Sequence, residues 1–445
     1  MRIFRWVVGL LVASVLATPA QAQDGPPTAE ERAPYAAAMQ QKYPTLPADI
    51  AGLLAEQRNL FTRELGCGVY DWFAAAPEGV VPATAERAAS FANVCVLPLD
   101  GLTPEIAAAK LGEKPYTVDV EGDVFTVFAR SSHMVYACCA PQVELVRLGQ
   151  SDYWTRRIRM RDLDQAFTSV MVIDPEGFDP NGYEKRFVWR GPNAPDAYRE
   201  IPFPEISGRT EDGVIDSVNL GEKRKVAVYL PPGWTKEQTW PVVFVGDMGH
   251  TSFYPTVDAL IADGVIEPVI IVGVGSGWEG KVDADPAGQA NHPDLRNGEY
   301  MPGRVEGDLF ARHLAYISDE VTAWAAREYN ASTKREERVV AGFSGGGTMA
   351  LFTGLRRPDV FGYSIPLSPS WTTPTEADLA PGQRATFHMS GGVYEPDFHH
   401  NVRRFESVMR EAGFDIAVEY PVSGHFPDHW QYVFANALIR FFPKK

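Results

Sequence analysis

The residues with the clearest capacity for chemistry lie at positions 342–347, in the order Gly-Phe-Ser-Gly-Gly-Gly. A β-branched run precedes them, and small residues that suit the start of a helix follow. This order predicts a sharp turn from strand to helix, because glycines have no Cβ to clash there. The turn leaves Ser344 at its apex, facing the N-terminal N–H groups of the helix. We predict a nucleophilic serine; the alternative is an ordinary strand–turn–helix junction with a solvent-facing serine.

A serine hydroxyl needs a positioned base before it can attack at neutral pH. In folds with this turn the catalytic residues follow the order serine, acid, histidine. His425 lies in a Gly-containing loop directly after the last predicted strand, where a base would reach the nucleophile. We predict His425 as the base, the alternative being a surface histidine. His429 and Trp430 open the final helix and are expected to line a substrate pocket, unless His429 caps the helix.

The acid that orients the histidine is expected on the loop after the strand that contains His388. A carboxylate there can accept from the imidazole Nδ1–H, fix its tautomer and stabilise the imidazolium. Glu395 is preferred to Asp397, because Pro396 restrains the chain directly after it. Either carboxylate could instead be a solvated loop charge.

Two backbone amides are expected to hold the oxyanion of an attacked carbonyl. One is the N–H of Gly345, directly after the serine. The other is the N–H of Met248, in a Gly-Asp-Met-Gly turn that follows an early predicted strand. Asp247 in the same turn is expected either to brace the turn or to face the substrate.

The elements that must position these residues alternate between strand and helix from position 206 to the end. Alternation of this kind predicts a mostly parallel sheet with helices on both faces, and an active site at the carboxyl ends of its strands. Residues 116–205 show a period of two with frequent turn residues, which predicts a β-sandwich. Residues 23–115 read as a small helical region without a motif that carries chemistry.

Positions 1–22 have the pattern of a signal peptide, with Arg2 and Arg5, an apolar core and an Ala-Gln-Ala cleavage site. We therefore expect an exported protein, periplasmic or secreted, with a retained signal anchor as the alternative. Export would allow disulfides among four cysteines, whose pairing the sequence leaves open. These cysteines are Cys67, Cys95, Cys138 and Cys139.

The 445-residue chain has a formal net charge of −16, which argues against nucleic acid and anionic membrane surfaces as partners. We expect no membrane association after signal removal, no cofactor and no metal. The Gly-Val-Gly-Ser-Gly run at 273–277 lacks the spacing of a dinucleotide loop. A metal cluster around His425 and His429 is disfavoured, because Pro427 interrupts the helix between them.

Several motifs resemble the enterochelin (ferric enterobactin) esterases, within the esterase D-like and feruloyl-esterase-like α/β-hydrolases. They are Val228-Tyr-Leu-Pro-Pro-Gly-Trp, the Gly-Asp-Met-Gly turn, Asp294-Leu-Arg-Asn-Gly-Glu-Tyr, Gly342-Phe-Ser-Gly-Gly-Gly and Gly424-His-Phe-Pro-Asp-His-Trp. The resemblance implies an α/β-hydrolase domain over 206–445 with a β-sandwich before it. It implies Ser344 as nucleophile, His425 as base and Glu395 as acid. It also puts Arg296 and Glu299 at the pocket edge, unless they form a structural ion pair.

The sequence thus predicts a serine esterase acting on a small-molecule ester, such as a siderophore lactone or an aryl ester. A trianionic ferric siderophore would be repelled by this acidic chain unless Arg296 or the pair Arg356 and Arg357 made the pocket basic. An acyltransferase using an alcohol acceptor and a non-catalytic binding protein are the alternatives. The oligomeric state is left open.

Overall fold

The computed structural model describes residues 93–132, 135–138, 143–173, 185–201, 205–249, 253–285, 288–289, 295–304, 307–370 and 374–444. The predicted signal peptide, most of the predicted helical region, Cys67 and Cys139 lie outside these residues. The chain divides into two compact units. The N-terminal unit is Met1–Pro195 together with Val393–His400 and Val422–Phe426. The C-terminal unit is Asp196–Gly392, Asn401–Pro421 and Pro427–Lys445.

The described part of the N-terminal unit is built mainly from short antiparallel strands. They are β1 (Val94–Leu97), β2 (Tyr116–Glu121), β3 (Val124–Arg130), β4 (Tyr136–Cys138), β5 (Val143–Glu144), β6 (Val146–Arg147), β7 (Tyr153–Met160), β8 (Phe167–Ile173) and β9 (Phe187–Arg190). Helix α1 (Pro104–Leu111) begins after Thr103, whose hydroxyl accepts the N–H of Ile106. A short 3-10 helix, Leu163–Gln165, lies between β7 and β8.

Two antiparallel sheets form this unit, one in the order β1-β7-β3-β2 with β6 beside β7, the other in the order β5-β4-β8-β9. Apolar side chains from both sheets, such as Phe125, Ile158 and Val170, join in one core. In β3 the alternate residues Phe125, Val127 and Ala129 lie in that core, which is the period of two that the sequence showed. The predicted β-sandwich is confirmed.

One boundary differs from the prediction. Residues 94–97 were assigned to the helical region, but they form β1 and pair antiparallel with β7 of the sandwich. The strand is only four residues long, so its alternation is too brief to distinguish it from a helical turn. The sandwich therefore extends to at least Val94 on the N-terminal side, with α1 as an insertion between its first two strands.

The C-terminal unit alternates strands and helices. Its strands are β10 (Arg209–Ser217), β11 (Glu222–Leu230), β12 (Val242–Val245), β13 (Ile270–Val274), β14 (Arg338–Phe343), β15 (Tyr363–Leu367), β16 (Thr386–Ser390) and β17 (Ile416–Glu419). Its helices are α2 (Tyr254–Ala262), α3 (Gly277–Gly280), α4 (Leu295–Tyr300), α5 (Leu309–Ala315), α6 (Thr322–Tyr329), α7 (Gly345–Arg356) and α9 (Pro427–Phe441), with a π-helical turn Tyr316–Val321 joining α5 to α6. Helix α8 (Pro396–Glu411) begins in the segment assigned to the N-terminal unit.

All eight strands form one sheet in the order β10-β11-β13-β12-β14-β15-β16-β17. The pairs from β13 to β17 are parallel, while β10, β11 and β13 pair antiparallel. Strands β12, β13 and β14 are buried almost throughout, which explains their continuous apolar runs. The predicted α/β-hydrolase fold is confirmed, including its position after the sandwich.

Within the described residues, the helices are too short or too polar to cross a bilayer. The same residues contain no group of three or more His, Cys, Asp or Glu side chains arranged to hold a metal ion.

A buried histidine lies on α5 within the C-terminal unit. His313 is fully buried, and neither ring nitrogen has a hydrogen-bond partner among the described residues. Its Nε2 lies 3.9 Å from a carboxylate oxygen of Glu299. Burial and, to a lesser extent, the positive charge of Arg224 lower the pKa of His313 from its ordinary value of 6.5 to about 3, against a smaller opposing effect of the Asp247 charge. His313 is therefore neutral at physiological pH.

This histidine makes the stability of the C-terminal unit sensitive to acid. Because the pKa of His313 is lower in the folded chain than in the unfolded chain, its stabilising effect is full above pH 6.5 and is lost as the pH falls towards 3. Between pH 6.5 and pH 5 we expect a loss of about 2 kcal/mol. Urea unfolding of wild type and His313→Phe at several pH values measures this loss in the free energy of unfolding. Parallel pH dependences in the two proteins would contradict the assignment.

Candidate active site

Ser344 lies between β14 and α7, at the apex of the predicted turn. Its backbone has φ 54° and ψ −124°, a conformation that residues other than glycine rarely adopt. The surrounding chain holds it there: the Ser344 N–H donates to the Leu367 carbonyl at 2.9 Å, and the Ser344 carbonyl accepts from the Thr348 N–H at 3.1 Å. The side chain is half-buried. Strain of this kind persists only where the structure enforces it, and it places the hydroxyl at the start of a helix.

The glycines around Ser344 are required by close backbone contacts. A Cβ on Gly342 would lie 2.3 Å from the carbonyl oxygen of Gly346. A Cβ on Gly347 would lie 2.4 Å from the carbonyl oxygen of Leu367. At both positions the neighbour is backbone, which cannot move aside without breaking the turn. The pattern read from the sequence therefore has a steric cause.

The turn rests on buried side chains from the final helix. The ring of Phe343 stacks on Trp430 with 4.3 Å between centroids, and the Trp430 Nε1–H donates to the Ser368 hydroxyl at 3.0 Å. His429 is fully buried, and its Nε2 lies 3.0 Å from the hydroxyl of Ser390. We had predicted His429 and Trp430 as substrate-binding residues. Both side chains are buried and hold the ends of neighbouring strands, and their contact with substrate stays a prediction.

The turn Gly246–Gly249 follows β12 and carries the second predicted oxyanion donor. Asp247 and Met248 are both left-handed, with φ of 58° and 60°. The Asp247 N–H donates to the Tyr300 hydroxyl at 2.8 Å, and the Ser276 hydroxyl donates to the Asp247 carboxylate at 2.9 Å. Two consecutive left-handed residues without glycine are costly, so this turn depends on the side chains that bind it.

Arg296 on α4 makes the strongest of these contacts. Its Nε and Nη2 donate to the two oxygens of the Asp247 carboxylate at 2.7 Å and 2.6 Å. Burial alone would lower the pKa of Arg296, but the Asp247 charge and these hydrogen bonds raise it overall. A Cβ on Gly345 would lie 2.8 Å from Arg296 Nη1, so the guanidinium packs against the first residue of α7. Arg296 thus braces both segments that carry the predicted oxyanion donors.

Glu299 does not fit its predicted place at the pocket edge. Its side chain is fully buried, pairs with Arg224 and accepts the N–H of Gly277 at 2.6 Å. Buried carboxylates of this kind need such partners, because an unpaired buried charge is very costly. The alternative, an ion pair between Arg296 and Glu299, is not the arrangement found, because Glu299 pairs with Arg224 and Arg296 pairs with Asp247.

The predicted base and acid lie together in the N-terminal unit. His425 Nδ1 makes a short hydrogen bond to Glu395 Oε1. Glu395 is 3% exposed and His425 is 8% exposed, so water has little access to this bond. The ring of Phe398 stacks on the imidazole with 4.4 Å between centroids. The hydrogen bond of Nδ1 to Glu395 makes Nε2 the nitrogen through which the ring would act as the predicted base. The side chain of Asp397, the other acid considered, lies outside the described residues.

The order of the strands bears on the predicted pairing of Ser344 with His425. β14, which leads to Ser344, runs parallel to β15, β16 and β17 in one sheet. The segments with Glu395 and His425 follow β16 and β17, so all three leave the sheet at the carboxyl ends of its strands. The pairing of Ser344 with His425 stays a prediction.

Several residues of this site were missed by the sequence reasoning. They are Ser276, Tyr300, Ser368 and Phe398. Tyr300 could have been predicted from the sequence, because it ends the Arg-Asn-Gly-Glu-Tyr motif that was noted there. Ser276 lies in the Gly-Val-Gly-Ser-Gly run that was considered only as a dinucleotide loop, and Ser368 carries no local pattern.

Comparison with known proteins supports the class. Residues 217–408 match the model of the esterase family described as "Putative esterase". The chain is 27% identical over 170 residues to the uncharacterised protein YjcH of Bacillus subtilis. The aligned region covers 37% of this chain and 62% of that relative. The match thus spans less than two thirds of the curated relative. Residues 217–408 are therefore similar to the esterase family, and they lie on an α/β-hydrolase fold.

Solved structures extend the likeness into the sandwich. The enterobactin esterase of Shigella flexneri covers 75% of this chain and 97% of its own, with 17% identity and a TM-score of 0.51. The ferric enterobactin esterase of Salmonella typhimurium covers 75% and 98%, with 16% identity and a TM-score of 0.51. In fold the protein is enterochelin esterase-like, as the motifs implied. The predicted class, a carboxylic-ester hydrolase, agrees with the family match.

The steric origin of the glycine pattern gives a direct prediction. Gly347→Ala places a methyl group against the Leu367 carbonyl and should lower the free energy of unfolding by at least about 2 kcal/mol. Gly346→Ala is the matched control in the same helical turn, because its Cβ would lie 3.3 Å from the nearest atom. That variant should lose less than about 1 kcal/mol. Urea unfolding of both variants measures the difference, and equal losses would refute the steric account.

Proposed function

We propose that the protein is a serine esterase that uses Ser344 as nucleophile, His425 as base and Glu395 as acid. The observation that carries the proposal is the strained, half-buried Ser344 at the junction of β14 and α7. The buried hydrogen bond of His425 to Glu395 supports it, because a nucleophilic serine needs an oriented base. The esterase-family match over residues 217–408 is consistent with this chemistry.

In the proposed reaction, His425 Nε2 removes the proton of the Ser344 hydroxyl as Oγ attacks the ester carbonyl. Glu395 holds the Nδ1–H and stabilises the imidazolium that forms. Collapse of the tetrahedral intermediate breaks the bond to the alcohol, which takes the proton from His425. Water then repeats these steps on the acyl-enzyme, with His425 as base, and releases the acid.

The oxyanion is proposed to accept from the N–H groups of Gly345 and Met248. Gly345 is the first residue of α7, so its N–H has no partner within the helix. Met248 is held in its left-handed conformation by the contacts of Asp247 with Arg296, Tyr300 and Ser276. Donors fixed before the reaction cost no reorganisation when charge develops on the carbonyl oxygen. Asp247 and Arg296 are thus positioning residues in this proposal, and neither is assigned to the substrate.

The charges of the C-terminal unit favour an uncharged aryl ester or lactone over a trianionic ferric siderophore. Arg296 is neutralised by Asp247, Arg356 by Asp378, and Arg357 by Asp319 and Asp359. These were the cations considered for attracting such a substrate. With each already paired, the net charge of −16 remains repulsive to an anion.

Export to the periplasm or beyond is also proposed. It rests on the signal-peptide pattern at 1–22 and on Cys138, which is buried and disulfide-bonded. Disulfides persist in oxidising compartments.

A fluorophosphonate probe tests whether Ser344 is activated. Wild type should be labelled at Ser344, and Ser344→Ala should not be labelled. Replacing the base in His425→Ala should slow ester hydrolysis on the order of 10⁴-fold or more, and Glu395→Gln on the order of 10⁴-fold, because the tautomer is then wrong. Labelling is read by mass spectrometry and hydrolysis with a chromogenic aryl ester.

Each alternative gives its own result in the same assay. Absence of labelling in folded wild type would overturn the proposal and favour a binding protein. A labelled enzyme that transfers its acyl group to added alcohols in preference to water would be an acyltransferase.

The charge argument predicts a preference between two forms of one substrate. The metal-free form of a tricatechol lactone should be hydrolysed with kcat/KM at least about tenfold above that of its trianionic ferric form. Added salt should narrow this ratio, because salt screens repulsion between exposed charges. Equal values at low salt, or a preference for the ferric form, would show that the pocket is locally basic.

A further inference from the structure

We propose that the β-sandwich is part of the catalytic apparatus, and that Tyr394 is the residue through which it positions the acid and the base. The inference rests on the proposed function of His425 and Glu395. Its basis is that both of these residues lie on segments packed into the sandwich core and not on free loops.

Tyr394 directly precedes Glu395 and ties it to the sandwich. Its ring is 1% exposed and belongs to the same core as Phe125 and Ile158. Its hydroxyl donates to the carbonyl oxygen of Arg161 at 2.7 Å, in the chain between β7 and β8. Because the two residues are adjacent, the contacts that hold Tyr394 also restrict the backbone of Glu395.

Tyr394 also ties the acid segment to the base segment. Its backbone N–H donates to the carbonyl oxygen of Ser423 at 2.9 Å, two residues before His425. This bond fixes the distance between the two segments at the point where Glu395 and His425 must meet. The acid and the base are thus set by one shared backbone contact in addition to their own hydrogen bond.

The base segment has its own anchors in the sandwich. Phe426, directly after His425, is 1% exposed and lies in the same core. The carbonyl oxygen of Val422 accepts the N–H of Phe167, the first residue of β8, at 3.1 Å. Each functional side chain therefore has an immediate neighbour buried in the sandwich.

Positioning of this kind affects the rate more than the binding of substrate. A base displaced by a fraction of an ångström is less able to take the Ser344 proton in the transition state, while the substrate still binds. Loss of a purely stabilising contact would instead lower the amount of folded enzyme and leave the rate of each folded molecule unchanged. The two roles are therefore separable by measurement.

The test compares Tyr394→Phe with wild type in the full chain. The variant keeps the buried ring and loses only the hydrogen bond to Arg161. We expect kcat for an aryl ester to fall about tenfold at unchanged KM, and the rate of phosphonate labelling at Ser344 to fall by a similar factor, the size of one lost hydrogen bond. The matched control is Tyr329→Phe, which removes a hydroxyl 3.2 Å from Glu211 in the C-terminal unit and should keep wild-type rates.

Unchanged kcat and labelling rates in folded Tyr394→Phe would overturn this inference while leaving the proposed function intact. Absence of labelling in wild type would instead remove the proposed function, and the inference with it. If Tyr394→Phe does not fold, Phe426→Leu provides the same comparison at the base segment. A wild-type kcat in folded Phe426→Leu would equally overturn the inference.

Discussion

The buried hydrogen bond between the His425 ring and the Glu395 carboxylate is the interaction on which this account of the site depends. A carboxylate with 3% exposure is stable as an anion only when hydrogen bonds replace the lost water. The imidazole supplies one such bond and is in turn fixed in one tautomer, with Nε2 left to act. In the proposed mechanism the same contact therefore satisfies a buried carboxylate and orients the base.

Each unit contributes a different part of the proposed machinery. The N-terminal unit holds the acid and the base, with Tyr394 and Phe426 anchoring them in the sandwich core. The C-terminal unit holds Ser344 in a strained conformation and holds Asp247 and Met248 in another. In both cases the strain or the buried charge is maintained by contacts from distant parts of the chain, as is common at functional sites.

Local patterns in the sequence predicted most of the fold and the types of the site residues. The glycines around Ser344 showed the turn, because close backbone contacts exclude a side chain at Gly342 and Gly347. The order of strands predicted the parallel sheet. The buried partners of Glu299, His429 and Trp430 were not predicted, since a sequence does not show which polar side chains are buried and paired. The Tyr394 contact with Arg161 spans 233 positions and leaves no local pattern. Strand β1 was not predicted, because its four residues are too few to show an alternating pattern.

The most direct test of the central claim is a crystal structure of the full-length enzyme with Ser344 phosphonylated. The account predicts His425 Nε2 within about 3 Å of the Ser344 oxygen, and the phosphonyl oxygen within about 3 Å of the N–H groups of Gly345 and Met248. The Glu395 carboxylate should remain hydrogen-bonded to His425 Nδ1. An imidazole turned away from the adduct, with another side chain in hydrogen-bond contact with the Ser344 oxygen, would contradict it.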